Sequence, residues 1–194
     1  MSFYHDGQRG LQDRFASTAL ADRLLEKLHR TAFSDADKSF IESAAFFFLA
    51  TADTEGRPDC SYKGGAAGFV RVIAPSTLAF PDYDGNGMFR SLGNIAANPA
   101  VGLLFIAMGE APKRLRVNGR AEVLFDDPLM SSFTGAQALV RVTAEHIFPN
   151  CPRYIHDLAS GTPSAYVPDA NAAPVEPAWK GFADFKDVVP PRKA

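Results

Sequence analysis

Apolar residues first recur at helical spacing near the N-terminus. Leu20, Leu24, Leu25 and Leu28 are separated by Asp22, Arg23, Glu26 and Lys27, which predicts one amphipathic helix over Arg14 to His29. Ser34 followed three residues later by Asp37 has the form of a capping box with the shorter acid, so a second short helix is expected from Asp35 to Ser43. The pattern then changes. Phe46 to Thr51 is a continuous apolar run too short for a helix, and the turn formers Asp53, Thr54, Glu55 and Gly56 end it. A buried strand therefore leads into a hairpin, with Pro58 to Lys63 as the return strand. Gly64 to Gly68 is a small-residue stretch that permits close backbone approach.

Phe69 to Ile73 and Thr77 to Phe80 read as two more strands, joined at Ala74, Pro75 and Ser76. After a loop rich in Asp and Gly, Asp82 to Gly87, a short helix is expected over Met88 to Ala97, stopped by Asn98 and Pro99. Val101 to Ile106 has the composition of a fully buried strand. The clearest local signal is Arg114 to Phe125, where Arg114, Arg116, Asn118, Arg120 and Glu122 alternate with Leu115, Val117, Gly119, Ala121 and Val123. A strand around Ala138 to Thr143 and a helix over about Pro152 to Ala159 follow. Short strands joined by tight turns predict a mainly β fold with flanking helices, an antiparallel barrel or sandwich rather than a doubly wound sheet. The expected division is an N-terminal helical arm (1–43), a β domain (44–160) and a C-terminal arm (161–194) marked by Pro163, Pro168, Pro174, Pro177, Pro190 and Pro191.

Charge narrows the partners. The 194 residues carry 20 Lys+Arg against 22 Asp+Glu, a formal net charge of -2, which disfavours a phosphate-tracking nucleic-acid binder or a polybasic membrane anchor. Small molecules are the expected partners. The longest apolar run, Ala44 to Ala50, falls far short of the roughly 20 residues of a membrane helix. Met1 to Asp6 lacks the pattern of a signal peptide, so a cytoplasmic location is expected, with Cys60 and Cys151 as free thiols. His5, His29, His146 and His156 have no metal-ligand spacing and read as surface or structural residues; no metal site is expected.

No dinucleotide fingerprint, Walker A loop or nucleophile elbow occurs, and no residue stands out as an obligatory acid or base, so no catalytic residue is assigned. One constellation remains. FPDYDGNGMFRSLGN places a strand end (Phe80, Pro81, Asp82), a glycine-bearing loop with Asn86, and then Arg90 and Ser91 near a helix start. Helix amides, a guanidinium and a hydroxyl together suit a phosphate. The same residues also suit a capped helix with a solvated arginine. Arg114, Arg116 and Arg120 likewise fit either a solvated face or a contact with an electron-rich ring or a second subunit.

The order GFVRV, a short hairpin, TLAFPD, a glycine-bearing loop, FRSLGNIAANPAVGLLF and RLRVNGRAEV resembles the pyridoxamine 5'-phosphate oxidase-related, FMN-binding split-barrel proteins. The resemblance runs from about Phe46 to Phe125 and extends towards Leu158. It implies a split β-barrel of Greek-key, FMN-binding type, and a homodimer with FMN in a groove between two subunits. By position, Phe69, Val70 and Arg71 would run beside the isoalloxazine and ribityl chain, and Phe80, Pro81 and Asp82 match the strand end that contacts the flavin. Arg90 and Ser91 match the phosphate-holding pair, which is arginine and lysine in the family's oxidases. Arg114 falls where those oxidases use a glutamine near the ring's pyrimidine edge; a cation there would stabilise the anionic reduced flavin and raise its potential. Asn86 is added from its place in the loop.

The resemblance has departures. The arginine-x-histidine stretch with which the oxidases bind substrate does not occur here, and Ser91 replaces a lysine. The expectation is therefore an FMN-dependent oxidoreductase of this class that is not a true pyridoxamine phosphate oxidase. Its substrate is unassigned, its candidate donor is a nicotinamide cofactor, and its candidate acceptors are oxygen, a quinone or another small oxidant. Two alternatives stay open: a non-enzymatic flavin-binding or stress-associated protein, and a haem- or deazaflavin-binding split barrel. FPNCPRYIH, Phe148 to His156, resembles a feature of some relatives and either brings Arg153 and His156 towards the site or starts a packing helix. Trp179 reads as a flavin cover or as a docking anchor for the arm.

Overall fold

A computed structural model describes residues 3–158, 160 and 175–189. Three helices, α1 (Asp6–Arg14), α2 (Thr18–Leu28) and α3 (Asp35–Ser43), precede the hairpin of β1 (Phe46–Ala52) and β2 (Pro58–Gly64). Then come β3 (Arg71–Ala74), β4 (Thr77–Tyr83), α4 (Arg90–Ala97), β5 (Ala100–Ala107), β6 (Lys113–Leu124) and β7 (Ala136–Asn150). Short 3-10 turns lie at Pro128–Ser132 and Ala178–Gly181. The strands form one antiparallel sheet in the order β2-β1-β5-β6-β7-β4-β3, whose two ends do not pair with each other.

That sheet rolls up around its own core. β1 and β4 are far apart in the sheet, yet the Phe47 ring meets the Phe80 ring edge-on at 4.9 Å between centroids, and also packs on Phe69 at 5.9 Å and Phe105 at 5.1 Å. Phe47, Phe80 and Phe105 are fully enclosed, as are Leu49, Leu115 and Val140. Each of these aromatic side chains buries more apolar area than an aliphatic one, and the aliphatic residues fill the space around them. The result is an open, mainly β barrel with flanking helices, the split-barrel architecture.

Period-two patterning places the side chains as expected on β6. Leu115, Val117, Gly119 and Ala121 face the core while Arg116, Asn118, Arg120 and Glu122 face outward. Gly119 is dictated by packing: a Cβ there would lie 2.1 Å from the Thr143 carbonyl oxygen, beside a register shift between Asn118 and Gly119. β1 departs from its reading as buried throughout. Phe47, Leu49 and Thr51 point inward, whereas Phe46, Phe48 and Ala50 form a half-exposed outer face.

The capping box appears as predicted. Ser34 accepts from the Asp37 amide, and the Asp37 carboxylate accepts from the Ser34 amide, at the head of α3. The expected Arg14 to His29 helix is found as α2, starting later at Thr18. Arg14 instead ends a separate helix, α1, and Ala16 breaks the chain between the two in a left-handed conformation at φ 53°. β7 extends well beyond Ala138 to Thr143 because Arg114, Leu115 and Arg116 pair with Asn150, Pro149 and Phe148. The helix expected from Pro152 is absent: residues 152–158 make turns around Tyr154 at φ 67°, and Ala159 lies outside the described residues. Of the C-terminal arm, 175–189 is described. It docks on α2 through Arg23, which donates to the Asp184 carbonyl at 2.6 Å, and Trp179 packs edge-on against the buried Phe185. Among the described residues no helix is long and apolar enough to cross a membrane.

Candidate functional site

The start of α4 carries the chemistry. Phe89 stands before it in a left-handed conformation, φ 47°, and no side chain caps the helix, so its first-turn amides and positive dipole end are free to meet an acceptor. Ser91 is 5% exposed. Its hydroxyl lies 3.0 Å from the Ser61 hydroxyl and donates to Asp59 Oδ2 at 3.3 Å. Arg90, largely exposed, reaches Asp59 Oδ1 with Nε at 3.2 Å. A second link holds α4 over β1, where Asn94 Nδ2 donates to Thr51 Oγ1 at 3.0 Å.

β2 supplies half of this cluster. Asp59, Ser61 and Lys63 pair with Thr51, Leu49 and Phe47, whose side chains point inward, so the three polar residues share the inner face of the edge strand. Lys63 Nζ lies 3.8 Å from Asp82 Oδ1, a contact from the edge strand β2 to β4, near the other end of the sheet. The alternation D-x-S-x-K was visible in the sequence as a polar row on a strand. Nothing local says that the row faces α4, so Asp59, Ser61 and Lys63 escaped the sequence prediction.

The other predicted residues are dispersed. Phe69 and Val70 precede β3 rather than lying in it, and their side chains are core; only their backbone is available to a ligand. The Phe69 ring also explains a glycine, since a Cβ on Gly65 would lie 2.6 Å from it. Arg71 is committed elsewhere: it donates to Ser132 Oγ at 2.6 Å and to the Ser132 carbonyl at 3.1 Å, and lies over the Phe133 ring. Phe80 and Pro81 are buried, and Asp82 accepts from Gln137 Nε2 at 2.9 Å. Asn86 holds its own loop, accepting from the Met88 amide at 3.0 Å.

Beside α4 opens a cleft of about 660 Å³, lined by Phe89, Leu92, Ile95, Val123 and Phe125 with Asp82 at its edge. Its size and apolar walls suit a planar ring system. Arg114 does not reach it. It stands eight residues from Glu122 of the cleft wall, about 26 Å along an extended strand. There its guanidinium donates to the Cys151 carbonyl and its Nε is enclosed without a partner.

The sequence profile of the pyridoxamine 5'-phosphate oxidase family matches residues 33–159, well over half of the chain. The chain belongs to this family. The match covers α3 and every strand of the barrel, so the motif order that suggested the family and the fold that carries it agree. No curated protein matches the chain in sequence. Among solved structures, HupZ of Group A Streptococcus is similar with a TM-score of 0.50 at 18% identity, over 68% of this chain and 98% of that one. A Lactobacillus delbrueckii protein named for pyridoxamine 5'-phosphate oxidase gives 0.50 at 22% identity, over 61% and 95%. An FMN-binding protein from Syntrophomonas wolfei gives 0.46 at 11% identity, over 74% and 96%. At these identities the likeness of the first two establishes the split-barrel fold.

Proposed function

We propose that the chain is an FMN-binding oxidoreductase that works as a homodimer and does not use pyridoxamine phosphate as its substrate. The observation that carries the reading is the enclosed Ser91 hydroxyl, set with Ser61 and Arg90 at the uncapped start of α4 in a member of this family. Hydroxyls, a guanidinium and first-turn amides are the donor set a phosphate monoester requires. When bound, FMN supplies hydride or electron transfer. Arg90, Ser91 and Ser61 would hold its phosphate, the strand end Phe80 to Asp82 would border it, and the Phe69 and Val70 backbone would flank it. Arg114 would enter the groove from the second copy.

The dimer reading is supported by the outer face of the sheet. Tyr62, Phe48 and Leu104 are direct neighbours across β2, β1 and β5, and the Phe46 and Tyr62 rings stack at 5.3 Å. Tyr62 is 62% exposed. A contiguous apolar row of this kind on a sheet face marks an interaction surface. Arg116 and Arg114 border the row on β6, so aromatic and arginine side chains, the types enriched at interfaces, occur together.

The test is a visible spectrum of the purified protein, followed by titration of the stripped protein with FMN. Flavin bands and about one FMN per subunit are expected, the stoichiometry of one groove per chain. Arg90→Ala and Ser91→Ala should each weaken FMN by on the order of tenfold while sparing riboflavin, because each removes a donor to the phosphate and leaves the Asp59 carboxylate facing it with less compensation. A colourless protein that ignores FMN would overturn the reading, and a haem-type spectrum would replace the cofactor.

A further inference from the structure

We propose that Asp59 sets how strongly this site takes a phosphate, making phosphate entry an exchange against a carboxylate the protein already provides. The inference rests on the flavin reading above and specifies which part of the ligand the chain selects. The Asp59 side chain is 17% exposed and holds both of its neighbours, Arg90 Nε at 3.2 Å and the Ser91 hydroxyl at 3.3 Å. Those are the donors that a phosphate oxyanion needs, and a guanidinium presents its N–H groups to carboxylate and phosphate in the same planar fork. Lys63, the cation on the same face of β2, already faces Asp82 at 3.8 Å. The two cations of the cluster are thus matched by two carboxylates, and an incoming dianion finds no surplus positive charge.

Two consequences follow. A phosphate that takes Arg90 Nε or the Ser91 hydroxyl must displace Asp59, and one that takes the outer N–H groups of Arg90 still meets that carboxylate, which stays close because it is anchored on an edge strand paired along its length with β1. The phosphate of FMN should therefore add little to binding, and the chain should hold riboflavin nearly as well as FMN. Asp59→Asn keeps the shape and an acceptor for Ser91 while removing the charge. It releases Arg90 for the ligand.

The experiment measures Kd for FMN and riboflavin with parent and Asp59→Asn, alongside thermal unfolding with and without inorganic phosphate. The parent should bind the two flavins within about threefold of each other, and Asp59→Asn should tighten FMN by on the order of tenfold, the scale of one charge-assisted contact, leaving riboflavin unchanged. FMN binding that is unchanged or weaker in Asp59→Asn would overturn the proposal while the flavin reading stands. A merely structural role for Asp59 would show as a loss for both flavins. If neither protein binds either flavin, the flavin reading falls and the phosphate arm decides alone. A phosphate-induced rise in Tm seen in Asp59→Asn and not in the parent upholds the role of Asp59, and equal responses reject it.

Discussion

His29 Nε2 lies 2.9 Å from His146 Nδ1, so the end of α2 is tied to β7 by a hydrogen bond that needs at least one neutral imidazole. The next residues along, Arg30 and Ile147, exchange backbone hydrogen bonds of 2.9 and 2.8 Å, and the Phe3 ring meets both imidazoles edge-on. Burial first, then His146 and Arg30, hold the pKa of His29 below its usual value. The folded protein thus favours the neutral form. The stability this contributes is fully present above the unfolded histidine value of about 6.5 and is lost as pH falls through the lowered folded value. Tm should drop on going from neutral to mildly acidic pH, and His29→Gln should flatten that part of the profile. Parallel profiles for the two proteins would reject the link.

Asp37 is a buried carboxylate with four donors: Arg30 Nε and Nη2, the Ser34 amide and the Ser34 hydroxyl. Asp37→Ala would leave the half-buried Arg30 without its partner and strip α3 of its cap. A loss of about 2–4 kcal/mol is expected in urea unfolding, combining a broken ion pair with a lost N-terminal box. Asp37→Asn should lose less, since it retains acceptors for Ser34.

Two glycines make opposite predictions. Gly119→Ala forces a methyl group onto the Thr143 carbonyl oxygen of the neighbouring strand and should destabilise by about 1–3 kcal/mol, the usual scale of overpacking. Gly93→Ala, inside α4 with nothing within 4 Å of the added carbon, should stabilise by about 0.5–1 kcal/mol through helix propensity. Midpoints of thermal unfolding, measured side by side, check both signs.

Phe48→Lys places a charge at the centre of the outer aromatic row without touching the core face of β1. It should turn the proposed dimer into a folded monomer in light scattering at micromolar concentration. A parent protein that is already monomeric with flavin bound would remove the dimer, and with it the route by which Arg114 enters the site.

Features set by neighbours in the chain were legible in the sequence. The Ser34 and Asp37 cap lies within one turn, and the alternation on β6 lies within one strand, so each could be read locally. What escaped depends on distant residues. The length of β7 is decided by Arg114 to Arg116, over thirty positions upstream, and the pairing of Asp59 with Arg90 is decided by how α4 lies across an edge strand. Arg71 looked like a ligand contact because its neighbours match a family strand, yet Ser132 and Phe133 hold it. His29 and His146 looked unremarkable singly because 117 positions separate them.

β7 is the last strand among the described residues but stands between β6 and β4 in the sheet. While the polypeptide is being made, β2-β1-β5-β6 and β3-β4 are two ribbons that nothing in the sheet yet joins, each with a bare edge where β7 will insert. Unpaired strand edges are templates for association with other chains. The hazardous interval in the life of this protein is thus the time between translation of Leu124 and of Asn150. A product truncated before Ala136 would be two adhesive ribbons, not a smaller barrel.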